Sequence, residues 1–279
     1  MKKYIVGILI FILLIPSARA EMIRGAKSLA LGGVQSAVTE DPNAVFNNAA
    51  SLFSISKYSL LLSYMPIYSI DNFYYLRGTA IIPYRAFRFG AGLYNITAED
   101  LYAHTLFVLS LSYSFSRNLH AGLSFKYILD TLEKEADEVD SINDRINHFS
   151  FDFGLIFYLN KFFLVGLSGK NLNNPRLAFS KETIITKNTT SFELGSKINV
   201  IRDFSIFIEE EFIKGLEPLT KIGSEFIFYR TVAVRAGMGK NETANLGIGL
   251  AFPYMRIDFG LMAHSDLGNQ YQLDITFEL

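Results

Sequence analysis

QYQLDITFEL, residues 270–279, alternates without a break. Tyr271, Leu273, Ile275, Phe277 and Leu279 fall on one face, and Gln272, Asp274, Thr276 and Glu278 on the other. A period of two is that of an extended strand. One face of large apolar side chains and one of charged and amide groups is the dyad pattern of a transmembrane barrel strand, lipid on one side and a polar lumen on the other. The pattern recurs upstream. Met255, Ile257, Phe259 and Leu261 oppose Arg256, Asp258 and Gly260, and Phe149, Phe151, Phe153, Leu155 and Phe157 oppose Ser150, Asp152 and Gly154. Phe192, Leu194, Ile198 and Val200 oppose Glu193, Gly195, Lys197 and Asn199. Glu210 breaks the rule, because it shares a face with Ile206 and Ile208.

Working outward, segments of this kind fill the chain from Lys57 onward: 57–65, 72–82, 86–96, 103–115, 119–130, 147–158, 162–170, 190–200, 204–213, 219–228, 231–238, 244–252, 254–263 and 270–278. Tilted membrane strands need about 9 to 11 residues, and these lengths suit them. The connections alternate in length. Tight turns (PYR 83–85, SRN 116–118, LNK 159–161, IRD 201–203, YR 229–230 and Pro253) take turns with longer loops at 66–71, 97–102, 131–146, 171–189, 214–218, 239–243 and 264–269. Short periplasmic turns and longer outer loops are the habit of an up-and-down outer-membrane barrel, whereas a Greek-key sandwich has no reason to produce them. Most tight turns carry a cation (Arg85, Arg117, Lys161, Arg202, Arg230), and Tyr84, Phe115, Tyr158, Tyr229, Phe252 and Tyr254 flank them as an interfacial girdle would. The competing architecture, a soluble two-layer β protein, would need an unusually large core for fourteen strands, since sheets of that size close or split.

Residues 1–20, MKKYIVGILIFILLIPSARA, read as a cleaved signal peptide: a basic start, an apolar run and Ala18-Arg19-Ala20. The run from Tyr4 to Ile15 is short for a spanning helix, which is the alternative reading. The 279 residues hold no cysteine and a formal net charge of −1. The first leaves stability to strand closure, and the second argues against a nucleic-acid partner. The expected division is therefore signal peptide 1–20, an N-terminal segment 21–56 and an all-β, up-and-down antiparallel barrel of about fourteen strands over 57–279. Export places it in the outer membrane of a Gram-negative-type cell, among outer-membrane lipids.

Ser28 to Leu52, SLALGGVQSAVTEDPNAVFNNAASL, has no strand period and is rich in small residues and turn formers. It reads as a plug inside, or against the mouth of, the barrel. Ala26 to Gly33 (AKSLALGG) and Glu40 to Ala49 (EDPNAVFNNA) resemble the N-terminal signature of the FadL and PorV/PorQ-like outer-membrane proteins, which typically reads ARALALGGA…DDPSAVFWNPAGL. Leu267 to Leu273 also looks like the end of that group's last strand. The signature's Pro is absent here, and Ser51 stands where it has Gly. The resemblance implies a fourteen-stranded barrel with a lumenal plug or hatch. Gly32 and Gly33 would permit close backbone approach, Asp41 and Pro42 would open a short turn or helix, and the pair Asn47-Asn48 spans the motif's asparagine. Gly32, Gly33, Asp41, Pro42, Asn43 and Asn47 are the expected ligand-binding or gating residues.

The polar face carries Arg88, Lys126, Asp152 and Asp274 and, as candidate lumen charges, Glu193, Lys197, Glu209, Glu211, Lys221, Glu225, Arg235, Arg256 and Asp258. Two readings compete: a charged filter for solute, or a mutually neutralised ladder that holds the plug. Mixed signs favour the ladder, because selective pores present rings of one sign. Inward apolar groups read as few (Leu61, Ile128, Phe207), so no obvious fatty-acid channel is written in the sequence. His104, His120, His148 and His264 show no metal spacing, His264-Ser265 near Asp266 makes no triad by adjacency, and Gly237 to Lys240 is a hairpin turn. The acidic loop 131–146 lacks a calcium-loop glycine and reads as solvated; 171–189 is the expected outer contact. No enzyme activity, metal or cofactor is expected. The resemblance offers two roles: a channel for hydrophobic compounds first, then a part in type IX secretion with secretion-system proteins as partners. A purely structural barrel is the third.

Overall fold

The structure is a computed structural model, which describes residues 24–68, 70, 72–98, 102–132, 145–173, 176–178, 185–187, 190–239, 244–264 and 268–279. Residues 1–20, most of the acidic loop and most of 171–189 lie outside these residues. The described chain opens with α1 (Ala26–Ala30), α2 (Ala44–Asn47) and a 3₁₀ helix (Ala49–Ser54). Strands follow: β1 (Ser59–Pro66), β2 (Phe73–Tyr84), β3 (Phe87–Ala98), β4 (Tyr102–Ser114), β5 (Leu119–Leu132), β6 (Arg145–Tyr158) and β7 (Phe163–Lys170). A hairpin of β8 (Arg176–Ala178) and β9 (Ile185–Lys187) sits within the long loop. Then come β10 (Ser191–Ile201), β11 (Phe204–Ile213), β12 (Leu219–Phe228), β13 (Val232–Met238), β14 (Ala244–Ala251), β15 (Met255–His264) and β16 (Gly268–Glu278).

Without β8 and β9 the strands form one closed antiparallel barrel of fourteen, each paired with its neighbours in sequence order. It closes where β1 meets β16, from Ser59↔Glu278 to Tyr64↔Leu273. Each expected strand is present, its ends within two residues of the sequence-based positions. The β8–β9 hairpin was not foreseen. Closure leaves no unpaired edge, which matters because lipid cannot satisfy backbone N–H and C=O groups. No described helix is long and apolar enough to cross a membrane.

Burial alternates as a barrel wall requires. Phe149, Phe151, Leu155 and Phe157 of β6 point outward and are exposed, while Ser150, Asp152, Gly154 and Ile156 point inward. Glu210 faces outward from the loop end of β11, where its Oε2 accepts from Thr220 Oγ1 at 2.7 Å. A cross-strand hydroxyl thus meets the one acid on that apolar face.

The interior differs from expectation in one respect. Inward apolar groups are not few, because Met65, Ile67, Tyr75, Ile81, Tyr94, Ile96, Leu106 and Val108 join Ile128 in a buried cluster on the β1–β5 side. Strands β1 to β4 carry apolar residues on both faces, as in Leu60-Leu61-Leu62, so polarity could not mark the inward side there. The opposite wall, β10 to β16, holds most of the buried charge.

Candidate functional site

Residues 24–55 run through the lumen and are nearly all buried. Helix α1 packs against β13 to β16, and the 3₁₀ helix against β3 to β6, so the segment bridges opposite walls. It fits because the inward face is glycine at the points of contact. Gly122 and Gly154 lie opposite each other across β5 and β6, as do Gly166 and Gly195 across β7 and β10, and Gly223 and Gly237 across β12 and β13. A Cβ on Gly122 would strike the backbone at Ala49 and Ala50; one on Gly166 would strike the Ser36 carbonyl. We predict that Gly166→Val displaces residues 35–37 and costs about 1–3 kcal/mol, read as a lower urea midpoint for the folded barrel. An unchanged midpoint would mean that the segment does not press on the wall.

Polar groups hold the plug from several strands. Glu209 Oε2 accepts from Gln35 N at 2.9 Å, Ser36 N at 2.6 Å and Ser36 Oγ at 2.6 Å. Asp274 Oδ2 accepts from Ala26 N at 2.8 Å and Asn43 Nδ2 at 2.9 Å, while its Oδ1 accepts from Ser63 Oγ at 2.5 Å. Arg77 donates to Arg24 O at 2.6 Å, Arg88 to Ile55 O at 2.6 Å, Asn245 to Leu29 O at 2.6 Å and Arg256 to Glu40 O at 2.7 Å. Lys170 joins Gln35 Oε1 at 2.7 Å to Glu193 at 2.9 Å. Buried backbone groups of an irregular segment need such partners, since each orphan costs about 1–3 kcal/mol.

The lumen charges also satisfy one another. Lys221 sits 2.9 Å from Glu209 and 2.8 Å from Glu211, and Arg235 is 2.7 Å from both Glu225 and Asp258. Arg256 reaches Asp258 at 2.7 Å, and Lys126 reaches Asp152 at 2.6 Å. Lys27 of the plug adds a longer contact with Glu225, 3.8 Å. Lys197 lies over the Phe207 ring, 5.5 Å from its centroid. Lys126, Lys170, Lys221, Arg235 and Arg256 are thus each paired with a carboxylate.

The sequence-selected plug residues all reach the lumen. Gly32 and Gly33 adopt φ of 72° and 87°, and a Cβ on Gly32 would run into the Met238 backbone. Asp41 Oδ1 accepts from Asn43 N at 2.9 Å and Asn43 Nδ2 at 2.8 Å, which holds the turn through Pro42 ahead of α2. Pro42, Asn43 and Asn47 are buried. The structure joins Asp41 and Asn43 to Asp274, and places Gly32 away from them against β13. Sequence reading missed Gln35, Ser36 and Asn48. Asn48 Nδ2 donates to Ser36 O at 2.7 Å, and Asn48 Oδ1 accepts from Ala50 N at 3.1 Å. It also missed a buried line across β3, β4 and β5, in which Tyr94 OH lies 2.7 Å from His104 Nε2 and His104 Nδ1 lies 2.7 Å from Asp130. The only available signal was their place on inward faces.

Residues 72–279 match the family model described as type IX secretion system membrane protein PorP/SprF. No curated protein matches the chain. Among solved structures it is similar to the Ralstonia pickettii toluene transporter TbuX, at 12% identity over 91% of this chain and 96% of that one, TM-score 0.64. The Pseudomonas putida toluene transporter TodX aligns at 12% identity over 91% and 96%, TM-score 0.61. A Pseudomonas aeruginosa FadL homologue aligns at 11% over 91% and 98%, TM-score 0.62. At such identities these likenesses establish the fold alone, a closed fourteen-stranded β-barrel.

Proposed function

This chain belongs to the PorP/SprF family of type IX secretion system membrane proteins, and from that premise we propose that it serves as a closed, protein-binding barrel of the secretion machinery. It would sit in the outer membrane with its short turns toward the periplasm and its longer loops outside. Residues 1–20 would be its export signal and 21–56 its plug. The observation that carries the reading is the Glu209 clamp: one buried carboxylate takes three donors from the plug and an ion pair from Lys221. An interior knitted this way suits a scaffold for protein partners better than a path for solute. On this reading Asp41 and Asn43, tied to Asp274, lock the plug.

Two measurements test it. The reconstituted full chain is expected to pass no steady ion current in a planar bilayer; a stable open conductance would contradict a closed barrel. Cross-linking the full chain in its own membrane, followed by mass spectrometry, is expected to return secretion-system proteins. Recovery of a small hydrophobic adduct and no protein partner would overturn the proposal. That result would favour the second reading, a conduit for hydrophobic compounds, to which the apolar cluster of Phe46, Met65, Ile67, Phe73 and Tyr75 lends support.

A further inference from the structure

The short-turn rim holds a cleft that the sealed lumen does not use. Arg202, Asp203, Phe226, Ile227, Phe228, Tyr229 and Arg230 line a space of about 400 Å³ beside the β10–β11 and β12–β13 turns. Phe226 and Phe228 face outward from β12 with ring centroids 4.5 Å apart, and Phe204 continues the row 6.2 Å from Phe226. One wall of the cleft is therefore continuous with the apolar outer surface. Its lips are charged.

The turn itself is strained. Tyr229 has φ of 50° and Arg230 φ of 61°, with Thr231 N donating to Phe228 O at 2.9 Å. A two-residue hairpin with both centres left-handed normally uses Asn-Gly, and each non-glycine residue there costs about 1–2 kcal/mol. Here two large side chains occupy those positions, and Tyr229 is 98% exposed. Nothing inside the barrel gains from them. Strain at exposed side chains points to something bound outside.

Other rim cations indicate the depth. Arg85 lies 5.4 Å from the Tyr84 ring centroid, Lys161 4.8 Å from that of Phe162, and Lys57 6.0 Å from that of Tyr254. Cations over outward-facing aromatic rings at strand ends stand at the headgroup layer. Within the cleft the charges are two guanidiniums and one carboxylate. That set complements a phosphate and an ammonium on one molecule: the phosphate for the Arg202 and Arg230 forks, the ammonium for Asp203.

We propose that this cleft seats the headgroup of an ethanolamine glycerophospholipid from the adjoining leaflet, with an acyl chain lying along Phe226 and Phe228. The inference rests on the proposed membrane placement. Its test uses the full-length barrel alone in nanodiscs, where secretion partners are absent, so a failure here and a failure of the secretion reading are separate results. Native mass spectrometry is expected to show phosphatidylethanolamine retained over phosphatidylglycerol. R202Q/R230Q should lower retention roughly tenfold or more, the loss of charge-assisted hydrogen bonds. D203N should abolish the preference between the two lipids. Y229N/R230G, which suits the same turn, should fold at least as well and still lose the lipid. Equal retention by wild type and these variants, or no preference for ethanolamine in the wild type, would overturn the proposal. So would a photo-cross-linker at position 231, exposed beside the cleft, that captures protein and no lipid in cells.

Discussion

Replacing Glu209 with alanine is expected to loosen the plug and cost about 3–5 kcal/mol, the range for breaking a buried ion pair from one side. The side chain is fully buried on β11. Its removal leaves Gln35 N, Ser36 N and Ser36 Oγ without their acceptor and Lys221 with Glu211 as its remaining close acid. The lost donors lie on the plug and the lost charge on the wall, so the damage concentrates at their contact. The barrel ladder, held by backbone pairing from β1 to β16, should persist. Three readouts follow: a lower urea midpoint, new protease cleavage near residues 33–38, and ion current where the wild type is expected to pass none. Full protection from protease in Glu209→Ala would show that the clamp does not hold the plug. Because Gly166→Val disturbs the same Ser36 segment, the double variant should lose less than the sum of the singles, as coupled neighbours do.

Asn48→Pro is expected to cost about 3 kcal/mol or more, because the backbone there does not suit a proline ring. Asn48 has φ of −150°, far from the −65° that a proline ring imposes. Its N–H donates to Ala44 O at 3.2 Å, and proline has none to give. Asn47 is helical, a conformation that a following proline disfavours. The side chain also ties the plug's two arms together, through Ser36 O at 2.7 Å and Ala50 N at 3.1 Å. Asn48→Ala keeps the backbone and loses only the side-chain bonds, so it should cost less, about 1–3 kcal/mol. Urea titration of both variants, with protease mapping of residues 45–52, separates the two contributions. If Asn48→Pro proved as stable as the wild type, neither the N–H of Asn48 nor its backbone angle would matter to the plug.

The strands were legible because lipid and lumen impose opposite demands on alternate residues, and Phe149 to Phe157 or Tyr271 to Leu279 record those demands locally. The turn positions were legible for a similar reason, as the chain must reverse within a few residues at one end of each hairpin. The inward side of β1 to β4 was not. Leu61, Met65 and Tyr75 face the lumen, yet their neighbours Leu60, Leu62, Tyr64 and Leu76 are just as apolar. The small-residue segment 28–52 could be read as a plug, and a turn at Asp41 could be anticipated, though Asn43 and not Asp41 stands at the N-cap of α2. The plug's partners could not, because Ser36 meets Glu209 across 173 positions and Ala26 meets Asp274 across 248. Such pairs depend on the strand register and on which wall the plug leans against. Neither is a local property. Strand register brings Gly122 opposite Gly154 and Gly166 opposite Gly195. Closure at β1 and β16 then sets these glycines around one lumen, where a backbone has room to pass and carboxylates such as Glu209 and Asp274 hold it.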